Sequence, residues 1–350
     1  MRSLAVLVPG SIDQLTGGYL YARRLVDALR AQGIEVAVHE LAGRFPDADA
    51  DARAAAEAAL ARVPTGAVAV IDGLALAGFA ACLARAAQRL KLLALVHHPL
   101  AAETGTGAAA ARFAMLESAL LPRLAGVICP SAATAAALVS YGVAPQRIAI
   151  VPPGTAQPRA ATARTAHAHV CALLSVATVT PRKGHRVLIE ALGRLKDRDW
   201  RLRVIGSLAR DPGEAAALGA AIAAHGLGAR ITLEGEVPRD RLDAAYAAAD
   251  LFVLASLHEG YGMAFAEALA HGLPIVATNA GAIPELVPAD AGLLVAPGDA
   301  TALAQALARA IDDAALRARL AAAAAVAGSA LPDWEATARR WIESARRLTA

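Results

Sequence analysis

Two acids bracket a glycine-studded apolar stretch in SLHEGYGMAFAEALAHGLP, residues 256–274, with Glu259 ahead of Gly260 and Gly262 and Glu267 after them. The stretch follows a strand-like run, DLFVLA, so it falls at the carboxyl end of a strand, where ligands bind in open α/β sheets. From about Gly262 the residues MAFAEALAH turn helical and stop at Gly272, a favourable C-terminal cap. A helix that begins on glycine offers free backbone amides and the positive end of its dipole to an anion such as a diphosphate. At 100° per residue, acids eight positions apart on one helix would diverge by about 80°. Glu259 therefore suits a place before the helix and Glu267 a place within it. One carboxylate can then accept from sugar hydroxyls near the phosphates while the other reaches a ribose. An amphipathic helix with acids near its start accounts for the same pattern without a ligand.

Three further stretches lie at matching places. SVATVTPRKGHRVLIEAL, residues 175–192, reads as strand, turn and helix, with Arg182 and Lys183 at the helix entry. Cations there can neutralise a diphosphate leaving group, and a solvated Arg-Lys turn is the alternative. Lysine is scarce, occurring only at 91, 183 and 196. In TGGYLYARR, residues 16–24, Gly17 and Gly18 open a helix whose amides can approach a phosphate or an acceptor. In LLALVHHPLAAETG, residues 92–105, His97 and His98 follow a strand, where a histidine is either a ligand contact or a satisfied polar group. The glycine- and threonine-rich loop after them suits acceptor binding. Asp13, Glu103 and Glu117 are acceptor-side groups by location alone and receive no role.

The elements that must position these residues are legible in the periodicity. Apolar runs LAVLV (4–8), IEVAVHE (34–40), AVAVI (67–71), LLALV (92–96), GVIC (126–129) and RIAIV (147–151) alternate with helical-period segments. After a proline-rich, aperiodic stretch the alternation restarts with CALLSVA, RLRVIG, RITLEG, DLFVLA, LPIVAT and GLLVA. Strand followed by helix, repeated, implies parallel doubly wound sheets. The expected organisation is a Rossmann-like domain over 1–155, a linker over 156–169, a second Rossmann-like domain over 170–331 and a last helix over 332–350 that packs back on the first domain. The alanine run at 321–325 reads as part of a surface helix.

The paired glutamates with seven residues between them, the following ALAHGLPIVAT and AGAIPELV (280–287) resemble the signature of the large retaining glycosyltransferase family with the GT-B fold. The resemblance extends from TGGYLYARRLVDALRAQGIEV near the start to GLLVAPGDATALAQAL near the end. It implies an α/β, GT-B fold, with two Rossmann-like parallel-sheet domains facing a cleft. It further implies that Glu259 contacts hydroxyls of the transferred sugar, that Glu267 binds the nucleotide ribose, and that amides around Gly262, Met263, Ala264 and Phe265 hold sugar and diphosphate. By the same resemblance Lys183 faces the diphosphate, Gly17 and Gly18 form the diglycine of the first domain, His97 contacts the donor sugar, and Glu285 lies in a second loop beside the nucleotide. There is one departure. The family usually carries a Gly-Arg pair after the first strand of the second domain, where this chain has Ala177 and Thr178, and Arg182 is expected to supply the missing charge.

Composition narrows the remaining classes. At 350 residues the chain exceeds one ordinary core, and a formal charge of +3 with 4% aromatic residues argues against a nucleic-acid partner. Cys82, Cys129 and Cys171 stand alone, so neither a disulfide framework nor a zinc site is expected, and no metal or other cofactor is. The apolar run at the N-terminus is too short for a signal peptide or a span. PGSIDQLTGG lacks the G-x-G-x-x-G spacing of a dinucleotide site. The expected function is transfer of a sugar from a nucleotide-diphosphate sugar to a hydroxyl acceptor (lipid, metabolite or glycan), with retention, in the cytoplasm or peripheral to the inner face of a membrane. A sugar-nucleotide epimerase and a catalytically silent nucleotide-sugar-binding homologue are the alternatives.

Overall fold

The computed structural model describes residues 2–103, 107–158 and 170–350. It divides into two compact units, Met1–Gly154 with Pro332–Ala350, and Thr155–Leu331. Most of the stretch expected as a linker, 159–169, lies outside the described residues, as do 104–106 of the loop after the histidines.

The first unit holds strands β1 (Ser3–Pro9), β2 (Glu35–Leu41), β3 (Val68–Asp72), β4 (Lys91–Leu95), β5 (Gly126–Cys129) and β6 (Ile148–Ile150). Its helices are α1 (Gly17–Ala31), α2 (Ala50–Arg62), α3 (Leu83–Ala87), α4 (Leu100–Glu103), α5 (Ala108–Leu120) and α6 (Ala132–Ser140). The six strands are all parallel, in the order β2-β1-β3-β4-β5-β6. Strands buried on both faces have no reason to alternate, and β3 (VAVID) is buried at every position. The core gathers Leu7, Ile71, Leu76, Phe79 and Val127 with the alanine face of α2.

The second unit holds β7 (Cys171–Val176), β8 (Trp200–Ile205), β9 (Ile231–Gly235), β10 (Leu251–Leu254), β11 (Ile275–Thr278) and β12 (Gly292–Val295). Its helices are α7 (His185–Gly193), α8 (Pro212–Ala224), α9 (Arg239–Ala248), α10 (Met263–Ala270), α11 (Ile283–Leu286), α12 (Ala300–Asp312) and α13 (Ala314–Ser329). The parallel order is β12-β11-β10-β7-β8-β9. The run 321–325 falls in α13, which packs against α10; Ala324 is buried there and Gly328 sits against the Leu269 carbonyl.

The last helix, α14 (Trp334–Thr349), belongs to the first unit and packs on α1. Its Trp341 is fully buried, Trp334 meets Tyr21 edge-on at 5.8 Å, and Thr337 Oγ1 donates to Pro152 O at 3.1 Å. Among the described residues no single helix is long and apolar enough to cross a membrane, although α13 and α14 together reach the length and composition as a bent pair.

Each sheet has one place where the winding reverses. In the first unit it is between β1 and β3, and in the second between β7 and β10, which start crossovers in opposite directions. Loops leaving such a pair diverge and leave a crevice beyond the strand ends. Both clusters described below sit at these reversals.

Candidate active site

In the second unit the two loops at the reversal are Ala177–Gly184, after β7, and Ala255–Gly262, after β10. They are tied to each other by Leu257 N donating to Arg182 O at 2.7 Å. Gly184 lies at φ 65°, and a Cβ there would come within 2.0 Å of Ala255 O, so the close seating of one loop on the other needs glycine.

That seating brings Lys183, Arg182 and Glu259 together. Lys183 Nζ donates to Glu259 Oε1 at 2.7 Å, Ser256 Oγ donates to the same oxygen at 2.7 Å, and Arg182 Nη1 reaches Glu259 Oε2 at 3.4 Å. Arg182 also donates to His258 O at 2.7 Å. Glu259 is only 5% exposed. Burial pushes its carboxyl up, but Lys183 and then Arg182 outweigh that and bring it down to about 2. The cluster of one acid and two cations thus carries a net positive charge, with the acid ionised throughout the physiological range. It cannot serve there as a general acid; it can accept hydrogen bonds.

Glu259 precedes α10 and Glu267 lies within it. Gly262, at φ 96°, turns the chain into the helix, and the first intrahelical bonds run from Phe265 N and Ala266 N to Gly262 O at 2.9 and 3.1 Å. The amides of Met263 and Ala264 lie ahead of those bonds. The Phe265 amide does not, because the tight first turn commits it to Gly262 O; its ring is core, packed edge-on against Phe252 at 5.2 Å. Most long helices of this unit are capped by an aspartate side chain, as Asp211, Asp299 and Asp313 do for α8, α12 and α13. By contrast α7 and α10 begin on Gly184 and Gly262 with no side-chain cap.

Glu267 stands apart from the Lys183 cluster's contacts. Its Oε1 accepts from Arg239 Nη1 at 2.5 Å, and Arg239 Nη2 also reaches Asp243 at 2.7 Å. Tyr246, fully buried beneath, donates to Ala264 O at 3.3 Å. Glu285 is exposed in the short α11, whose loop is anchored by Ala282 N donating to Glu259 O at 2.9 Å. Thr178 borders Ala177, whose carbonyl lies against Gly206, and Arg182 is directed to Glu259 and His258 O.

The first unit makes its own cluster at its reversal. Gly17 and Gly18 open α1, and a Cβ on Gly18 would sit 3.1 Å from the His97 ring, so the helix entry and the imidazole are in contact. His97 Nε2 lies 3.4 Å from Asp72 Oδ2, and its ring meets Tyr21 edge-on at 5.4 Å. Asp72 is buried at the end of β3, its other oxygen accepting from Leu74 N at 2.8 Å. His98 Nε2 is 2.7 Å from Glu103 Oε2. Among the described residues no group of three or more His, Cys, Asp or Glu is arranged to hold a metal ion.

Asp72, Ser256 and Arg239 are the partners that sequence reasoning did not name. The rule that useful polar groups follow strands would have found the first two, each the first polar residue after an apolar run. Arg239 sits in PRDRLD, a polar run with no such mark.

Residues 171–326 match the family model for glycosyl transferases group 1, and residues 68–156 match that for glycosyltransferase family 4. The MMP alpha-(1->4)-mannosyltransferase of Mycolicibacterium hassiacum is 30% identical over 242 residues, covering 63% of this chain and 56% of that protein. The match thus spans about half the length of that curated relative. Among solved structures, sucrose-phosphate synthase from Thermosynechococcus elongatus superposes with a TM-score of 0.84 at 22% identity, over 99% of both chains. Anabaena HepE in complex with UDP and glucose gives 0.77 at 20% identity, over 98% of this chain and 99% of that one. The chain therefore has the GT-B glycosyltransferase fold, and most of its second unit matches the family model for group 1 glycosyl transferases.

Proposed function

We propose that this protein transfers a sugar from a nucleoside-diphosphate sugar to a hydroxyl acceptor, with retention of anomeric configuration. The observation that carries the reading is the buried Lys183–Glu259–Arg182 cluster at the reversal of the second sheet, beside the uncapped start of α10. A departing diphosphate accumulates negative charge as the glycosidic bond breaks. Lys183, Arg182 and the amides of Met263 and Ala264 offer fixed positive charge and dipoles to that charge, which is where such groups lower a barrier most. Glu259, held ionised, is an acceptor for hydroxyls of the sugar and keeps the two cations in place before the donor arrives. Glu267 takes the ribose hydroxyls. His97 and the Gly17–Gly18 helix entry in the first unit act on the acceptor side and against the transferred sugar. Retention rests on the resemblance of the paired glutamates to those of retaining enzymes. The relatives' names favour this reading over the epimerase.

The donor class is tested by thermal unfolding with UDP, GDP, ADP and NAD in turn, UDP first because HepE was crystallised with it. A ligand at a hundred times its Kd stabilises by about 2.7 kcal/mol. Stabilisation by one nucleoside diphosphate, abolished in Lys183→Met, is expected; stabilisation by NAD alone would overturn the proposal.

A further inference from the structure

The turn His97–His98–Pro99 joins β4 to α4, and its two ends are held by different means. Upstream, Val96 N donates to Ile128 O on β5 at 2.9 Å, so the residue before His97 is locked into the sheet. Downstream, Pro99 has no amide proton to give. The next amide, Leu100 N, donates to Glu117 Oε1 at 2.9 Å, a carboxylate 17 residues further along on α5, and the Ala101 amide also faces it.

Glu117 is an unusual residue to find there. It is 1% exposed, its Oε2 meets no hydrogen-bond partner among the described residues, and no cation pairs with it there. Burial pushes its carboxyl up to about 7 against the pull of the two amides, and its charge in turn adds to the burial that raises the Tyr141 hydroxyl. A leucine would fill the same space on α5 without that cost. What a leucine cannot do is accept the buried amides that follow Pro99, and an orphaned buried amide is itself costly.

We infer that Glu117 is a positioning residue that fixes the downstream end of this turn and so sets where the His97 and His98 imidazoles stand. Tyr21 and the Gly18 backbone bear on the His97 ring from the side of α1, whereas the turn that carries both rings is held at its downstream end by Glu117. The His97–Asp72 separation of 3.4 Å is long for a hydrogen bond, and the His98 partner, Glu103, is carried on α4, the element that Glu117 anchors. The catalytic consequence rests on the proposed role of His97; the placement itself does not.

The test uses the full chain labelled with 15N-histidine, the His97 and His98 signals being assigned among nine histidines with His97→Gln and His98→Gln. Glu117→Leu is expected to shift or split both imidazole signals. It should lower kcat on the order of tenfold to a hundredfold while leaving the affinity for the nucleoside diphosphate unchanged. Glu117→Gln keeps a neutral acceptor for the amides and is expected to restore both the signals and turnover. Glu117→Asp, whose carboxylate is withdrawn by one methylene, reads the same outcomes should the leucine variant not fold. Imidazole signals in Glu117→Leu, or in Glu117→Asp, that superimpose on those of the unaltered chain would overturn the inference. Moved signals without transfer activity in any variant, the unaltered chain included, would sink the functional reading and leave the positional one standing.

Discussion

Replacing Lys183 by methionine should damage the protein chiefly through Glu259. The carboxyl is brought from its ordinary 4.5 down to about 2 because Lys183 and Arg182 favour its charged form more than burial disfavours it. With Lys183 gone, the buried carboxylate keeps Ser256 and a guanidinium 3.4 Å away but loses its shorter ion pair. Removing one partner of such a pair costs about 3–5 kcal/mol, because the remaining charge stays buried. Glu259→Gln should cost less, since Lys183 and Arg182 keep some access to water, with side chains 17% and 13% exposed. The double variant carries no stranded carboxylate, so its cost should fall short of the sum of the singles by about 2–3 kcal/mol.

The assay is urea unfolding followed at Trp200, fully buried in the second unit, in a Trp334→Phe, Trp341→Phe background that silences the other two tryptophans. The pH dependence sharpens it. A depressed carboxyl gives stability that is present above 4.5 and lost as pH falls toward 2. In Lys183→Met that carboxyl is no longer held down, so the gap between variant and parent should narrow as pH is lowered from 7 toward 4. Additive single and double costs, or a gap independent of pH, would refute the view that Glu259 and Lys183 are held together as a buried pair.

Gly184→Ala places a Cβ where Ala255 O already lies 2.0 Å away and asks alanine to adopt φ 65°; we expect a loss of more than about 2 kcal/mol at Trp200 and loss of transfer together. Arg239→Ala frees Glu267 from its 2.5 Å ion pair, and the expected result is a donor KM raised several-fold with kcat little changed, measured by initial rates. His185, buried with neither ring nitrogen hydrogen-bonded among the described residues, is lowered by burial and then by Lys183 from 6.5 to about 4. Its contribution of roughly 3 kcal/mol is present above pH 6.5 and lost as pH falls toward 4, and His185→Leu should flatten that acid limb in urea titrations. Turnover after exhaustive EDTA treatment is expected to match the untreated rate, because on the proposed reading Lys183 and Arg182 supply the positive charge that a divalent cation would otherwise bring to the diphosphate.

The twelve strand runs were legible because inner strands such as β3, buried on both faces, leave continuous apolar segments, edge strands such as β2 and β9 alternate, and Gly, Pro and polar breaks punctuate them. Their order was not. Nothing local in CALLSV and LFVL states that β7 and β10 are neighbours, because that adjacency is a property of the crossovers between them. The meeting of Lys183 with Glu259, 76 positions away, follows from that adjacency alone. The same blindness explains the partners that went unnamed. Arg239 is one of several charges in PRDRLD, and only the packing of the second unit brings its still-exposed guanidinium onto Glu267. Glu117 was noticed as an acid on the histidine side, yet burial is what gives it meaning, and ARFAMLESALL contains no sign that one polar position points inward. Asp72 ends an apolar run, which is where polar function was sought elsewhere in the chain. The useful lesson is directional: periodicity locates the strand ends where chemistry can occur, and the winding of the sheet decides which of those ends share a site.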